Sequence, residues 1–350
     1  MEMGGVDFKP WLGRGLGEDR CFVCNLALDE TSRSVEDVFP KWLQRRFPAW
    51  RDRALMLLPN LTGLPLRHFA IPCCKKCNNE HLSRLEKSVQ QAFDLGPAAV
   101  ERLGERTLRG WTVKIAYGSR RNDLRLRSDI RDRNSSTIAT VKDLEGLAHL
   151  HDLLQECRGV AYVPNGHSTF ATFLAQESGC ELCDFDAIIP LGWPSPVILR
   201  LGKVVVVGAI DDRGLLNGLM TSPLFAVLRK TPLHPIQVRA LAAMIIARSA
   251  RLNPQAAPLK YGVSEKKLWI ARAEANNRLP KTLKNDAPSA DTVLASLLNE
   301  TEGMVKEQGG ALGLLRVREG HPTYIPFRHD ERSLSAVERT ALLPNSADLF

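Results

Sequence analysis

Eight residues in the first quarter of the chain have the types and spacing to do chemistry. Cys21-Phe-Val-Cys24 and Cys74-Lys-Lys-Cys77 are two Cys-x-x-Cys pairs. Each pair can chelate from one tight turn, and together they complete the tetrahedral four-thiolate set of a structural zinc. Two disulfides or idle thiols are the competing reading, and the grouping in pairs favours metal. A zinc held by four thiolates has no open position, so it staples the chain and leaves catalysis to other groups. Between and just after the cysteines lie the adjacent carboxylates Glu36 and Asp37, then Asn78, directly after the last thiol, and His81. Closure around zinc would bring Glu36 toward Asn78. A carboxylate and an amide oxygen are hard donors suited to Mg²⁺, which can clamp a phosphate.

The order of these residues carries a resemblance. Cys-x-x-Cys, then Glu36-Asp37-Val-Phe-Pro40-Lys-Trp42-Leu43, then Cys74-x-x-Cys77-Asn78-Asn79, then Ser83-Arg-Leu-Glu86 resembles the HNH endonucleases, also called His-Me finger or ββα-metal nucleases. The likeness is to their zinc-stapled branch. It covers roughly residues 20–95, with a weaker echo in Leu108-x-x-Trp111-x-x-Lys114. The resemblance implies a zinc on Cys21, Cys24, Cys74 and Cys77 and a catalytic Mg²⁺ or Mn²⁺ on Glu36 and Asn78. It also implies hydrolysis of phosphodiester bonds in nucleic acid, with DNA the first expectation. His81 falls where the family sometimes places a further metal ligand. The family's general base is a histidine next to the acid, and this chain has Asp37 there. A carboxylate near pKa 3.9 is a far weaker proton acceptor at neutral pH than an imidazole near 6.5, and a lost base costs about 10²–10⁴-fold in rate. His68 is a second imidazole within reach in sequence. Three functions therefore stay open: a metal-dependent HNH-type endonuclease using Glu36, Asp37 and Asn78; a degenerate relative that binds nucleic acid without cutting; and a zinc-built protein-interaction module.

Charge bears on the partner. The chain of 350 residues carries a net charge of +8. Residues 1–133 hold 24 Lys and Arg against 17 Asp and Glu, and residues 134–350 hold 23 against 22. The excess lies with the cysteine segment, where it suits a polyanion whose counterions are released on binding. A solvated basic face with no partner is the plainer alternative. No apolar run reaches the roughly 18 residues needed to span a bilayer, and the start, Met1-Glu-Met-Gly-Gly, lacks the pattern of a secretory leader. The expectation is a cytoplasmic protein with no membrane partner.

The elements that must position these residues follow from periodicity. Leu55–Leu58 and Leu64–Ile71 read as short extended segments around a turn at residues 59–63. Leu82, Leu85, Val89, Ala92 and Phe93 share one helical face that starts at Asn78 or Asn79 and stops at Gly96-Pro97. A second helix is expected over Ala98–Ala116. Residues 119–140 read as a linker or charged loop. Beyond them come a helix at Val141–Glu156, strands at Gly159–Val163 and Val197–Ile210, a helix at Pro235–Leu252 and a helical stretch over Asp291–Glu307. The fold class is α+β: in residues 1–118 what the resemblance implies is a zinc-stapled ββα-metal finger with covering helices, and residues 141–350 read as a mixed α/β domain of unknown role. A further pair, Cys180-Glu-Leu-Cys183, could join Cys157, His167 or His151 in a second metal site; with no second Cys-x-x-Cys to complete it, two buried reduced thiols are the better reading.

Overall fold

The computed structural model describes residues 19–53, 56–58, 60, 62–129, 131–177, 182–190, 195–252, 259–264, 267–272, 287–298, 302–307, 310–315, 317–318 and 321–322. The architecture is mixed α+β. In the first third, β1 (Arg33–Asp37) pairs antiparallel with β4 (Ala70–Cys74), with Arg33 opposite Cys74 and Asp37 opposite Ala70. Between them lie α1 (Lys41–Arg46), α2 (Pro48–Asp52) and the two-residue strands β2 (Met56–Leu57) and β3 (Gly63–Leu64). After β4 the chain makes a π-helical turn, Cys77–Leu82, and runs on into α3 (Ser83–Leu95). The helix expected after Cys77 is therefore present. It has no side-chain cap, because the wide turn holding Cys77 and Asn78 opens it.

The second expected helix is two. Gly104, at φ +75°, breaks the run into α4 (Pro97–Glu101) and α5 (Gly104–Asp123). Helix α5 is the central support of this region. Its Trp111 packs with Trp42 and Phe93 at centroid distances of 6.3 and 5.6 Å, so the tryptophans of Pro-x-Trp-Leu and Leu-x-x-Trp-x-x-Lys are core residues. At Gly118 the helix crosses the β1–β4 pair so closely that a Cβ would meet Val38 and Ile71 at 3.2 and 3.3 Å.

Residues 119–123 finish α5, and the described residues from 124 to 140 are irregular chain, tied back by Arg125 Nη1 to Ala70 O at 2.6 Å. Then follow α6 (Val141–Gly146), with a Thr140/Asp143 capping box, α7 (Ala148–Leu154) and β5 (Ala161–Tyr162). An antiparallel sheet of order β6-β9-β8-β7 comes from Thr169–Leu174, Val204–Ala209, Pro196–Leu201 and Phe185–Ile188. The Val204–Val207 run does not alternate because both faces of this sheet are covered. Val204 and Val206 join the core of the cysteine region, whereas Val205 and Val207 join a second core built on α8 (Pro235–Arg251). One hydrophobic core thus extends from Cys21 to Ile270. Phe185 on β7 is its aromatic junction, 4.9 Å from Trp50, 5.2 Å from Phe47 and 6.4 Å from Phe39.

Among the described residues, no helix is long and apolar enough to cross a membrane. Residues 1–18 and Cys180 lie outside the described residues.

Candidate metal centre and its surroundings

The two Cys-x-x-Cys turns meet. The ligand atoms of Cys21, Cys24, Cys74 and Cys77 all lie within 4.8 Å of one another, and Cys24 Sγ and Cys74 Sγ are 3.8 Å apart. A tetrahedron with Zn–S near 2.3 Å spaces its sulfurs about 3.8 Å apart, so the donor set fits a structural zinc. Each turn is shaped for the role. Asn25 takes a left-handed φ of 54° after the first pair, a conformation that asparagine tolerates, and the Leu26 backbone supports Cys24 by a hydrogen bond. In the second turn Cys77 N donates to Cys74 Sγ at 3.3 Å. Gln155 Nε2 braces the first turn from outside by donating to Val23 O at 2.8 Å.

The electrostatics ask for a cation. Hydrogen bonds from Cys24, Cys73, Cys74 and Cys77 drive the Cys21 thiol far down, while contact with Cys21 and burial drive Cys73, Cys74 and Cys77 up. Thiolates this close repel one another, and a dication held among them relieves that repulsion. Cys73, a fifth buried thiol 3.8 Å from Cys21, stands outside the four-ligand group.

The residues expected to hold a catalytic ion are arranged differently from one another. Glu36 turns inward from β1. Its Oε1 lies 2.6 Å from Lys114 Nζ, which is also 2.6 Å from Glu86 Oε1 and 2.9 Å from Val38 O, and which donates to Asp37 O as well. Lys114, fully buried, thus fills a cage of four oxygens with its ammonium. Burial pushes the Glu36 carboxyl up to about 7, Glu86 adding to the rise and Lys114 opposing it. For Lys114 burial favours the neutral form, but the two carboxylates outweigh it and hold the ammonium charged.

Asn78 is not part of that cage. Its Nδ2 donates to Val35 O at 2.9 Å and to Ser34 Oγ at 3.3 Å, lacing the π-turn to β1. Asp37 is half-buried, with Lys41 Nζ at 3.9 Å and Gln44 Nε2 at 3.5 Å. The two histidines, His68 and His81, lie elsewhere. His68 ends a short 3₁₀ turn, not a strand, and is exposed beside Arg67 at 3.2 Å. His81 lines a cleft with Arg84, Leu85, Ser88, Arg106, Thr107, Gly110, Glu156 and Cys157, apart from the Lys114 cage.

Sequence reasoning named Lys114 and Glu86 only as motif letters. The signal that could have found their role is an ion-pairing lysine three residues after a core tryptophan, on the face that α5 buries. A second buried cation on the same helix, Arg109, was missed outright: its Nε donates to Glu156 Oε2 at 2.8 Å and its Nη1 to Glu105.

The second-half cysteines and histidines scatter. Cys183 lines a cavity with Arg200 and Arg239, Cys157 lies in the His81 cleft, and the His151 ring packs tilted against Tyr117 at 5.3 Å. His167 Nε2 is 2.7 Å from Asp211 Oδ1. Among the described residues the four-cysteine group stands as the one metal-ligand cluster. No family model, no curated protein and no solved structure matches this chain.

Proposed function

We propose that residues 19–123 are a zinc-stapled ββα module of the HNH kind that binds nucleic acid and does not hydrolyse it. The support for the architecture is the succession of β1, β4 and a helix opened by Cys77-Asn78, with the four thiols at its base. One observation carries the choice between binding and cutting: the Lys114 ammonium sits in the oxygen cage of Glu36, Glu86, Asp37 O and Val38 O. The acid that the HNH resemblance assigns to the catalytic ion is already engaged by a cation of the chain itself. Loading a dication on Glu36 would require ejecting a buried ammonium from two carboxylates and two carbonyls, and groups in such a network are held by several kcal/mol. The neighbouring base position adds to the same conclusion, since Asp37 is a poor proton acceptor at neutral pH. What remains is a rigid, zinc-fixed, basic surface, which holds a phosphate backbone by charge and counterion release.

A second reading keeps the activity. Asn78 is fixed to the backbone of Val35, two residues from the half-buried Asp37, so these two side chains would supply the oxygens for Mg²⁺ or Mn²⁺ in an HNH-type endonuclease without Glu36. The deciding experiment combines binding of duplex DNA and of single-stranded RNA across a salt series with cleavage of supercoiled plasmid in Mg²⁺ and in Mn²⁺, using the native chain, Asn78→Ala and Asp37→His. Salt-dependent binding with intact plasmid throughout is expected. Nicking by the native chain that vanishes in Asn78→Ala establishes the endonuclease instead, and absence of salt-dependent binding to DNA or RNA overturns both.

A further inference from the structure

The cleft lined by His81 is a site that neither the zinc nor the Lys114 cage uses. It lies between α3, α5 and the 3₁₀ turn Gln155–Arg158, and encloses about 270 Å³. Two guanidinium groups line it. Arg84 comes from α3, with Nη2 3.5 Å from His81 Nδ1, and Arg106 comes from the first turn of α5; Arg158, next in sequence to the lining residue Cys157, acts on His81 by its charge. Hydroxyls of Ser88 and Thr107 stand on the two helices. Acid is scarce here. Glu156, the carboxylate lining the cleft, is committed to the buried Arg109 at 2.8 Å and to Val163 N at 3.1 Å, and stands 3.8 Å from Arg106. Burial, Arg158 and Arg84 together hold the His81 imidazole below its usual range, with Glu80 opposing them and Lys76 reinforcing them. The cations therefore act on a common space.

Guanidinium groups are planar forks that match the oxygens of phosphate, and a fork with one donor engaged keeps others to offer. Arg84 spends Nε on Glu80 O, and Arg158 spends Nη1 on Gln155 Oε1 at 2.7 Å. Lys75 and Lys76, both exposed, continue the positive surface from the cleft to the second cysteine turn.

We infer that this cleft is a phosphate-binding site, in which Arg84 and Arg106 grip the anion from two helices, with His81 and Thr107 as neutral donors and the charge of Arg158 beside them. The source of the phosphate is either the phosphodiester backbone or a free phosphate; for the backbone the inference rests on the nucleic-acid reading above. It then places the strand along α3 and α5, on the His81 side, away from Asp37.

The test uses the full chain loaded with zinc and the variant Arg84→Ala/Arg106→Ala. Both side chains are exposed enough to remove without opening the core, and circular dichroism and zinc content check the fold. In one arm, duplex DNA and single-stranded RNA are titrated by fluorescence anisotropy over a salt series. In the other, inorganic phosphate is titrated while the His81 imidazole resonances are followed by NMR, assigned with His81→Gln. A backbone site predicts about tenfold weaker nucleic-acid binding in the variant and a log K against log salt slope shallower by about 2. A free-phosphate site predicts that phosphate shifts the His81 resonances in the native chain, not in the variant, with nucleic-acid binding unchanged. If the native chain binds nucleic acid, the variant binds it with equal affinity and slope, and phosphate leaves His81 unmoved, the inference is overturned while the nucleic-acid reading stands. If nucleic acid does not bind at all, the phosphate arm still decides: movement of His81 upholds the cleft, and its absence overturns it.

Discussion

At the scale of single residues, the Lys114 cage decides more than the cysteines do. Burial above all holds a proton on Glu36 up to near neutrality, raising its pKa from 4.5 to about 7, with Lys114 opposing the rise and the nearby Glu86 adding to it. The native state then binds more protons than the unfolded chain between about pH 4.5 and 7. Stability should accordingly fall as pH rises through that window and level off above it. The shift sets an upper bound of about 3 kcal/mol. Glu36→Gln should flatten this slope and unfold at higher urea than the native chain at pH 8, checked by denaturation at pH 5, 6.5 and 8. A native slope of the opposite sign would mean that the pair is fully ionised. Lys114→Met is the harsher change, since it strands two acids without a counter-ion; a loss of about 3–5 kcal/mol is expected in the same urea series. None of this was legible in the sequence. Glu36 and Lys114 are 78 positions apart, and only the crossing of α5 over β1 makes them neighbours.

Among the elements, the cysteine turns were the most legible part, because ligand spacing acts within a few residues and hardly depends on the rest of the fold. The expected zinc set is the set the structure assembles. The helix after Cys77 and the extended character of Val197–Ile210 were legible for the same local reason; that the latter is two strands joined at Gly202 with φ +62° was not. What periodicity could not supply was the π-turn, which depends on Asn78 reaching β1, or the break at Gly104, which a single glycine inside an apolar pattern does not announce. The role of the cysteine turns yields a prediction at this scale. The purified chain should carry about one zinc, and binding should weaken as pH falls, because each thiol must lose its proton to become a ligand. Cys77→Ser should lose the metal, and with it the start of α3, seen as lower helicity by circular dichroism and release of zinc to a colorimetric chelator. Full helicity in a zinc-free chain would show that the turns stand without the metal.

For the molecule as a whole, the question is whether zinc staples a quarter of the chain or all of it. The expected boundary near residues 119–140 was drawn from charge and irregular sequence. Packing follows another logic: Phe185 of the sheet is wedged among Phe39, Phe47 and Trp50, Trp50 Nε1 donates to Leu182 O at 3.3 Å, and Gln155 braces the first cysteine turn. Residues so far apart share one core because β8 and β9 present apolar side chains on both faces, one of them to the cysteine region. The sheet that β8 and β9 belong to cannot keep that face buried if the region opposite it unfolds. Removing zinc should therefore release the amides of β8 and β9 to hydrogen exchange together with those of β4, in one step. Phe185→Ala should cost about 3–5 kcal/mol and lower the zinc-loaded melting temperature, although it touches no ligand. Protection that survives in β8 and β9 while β4 exchanges would instead mean that the two regions fold as separate units, with Phe185 a contact between them and not a shared foundation.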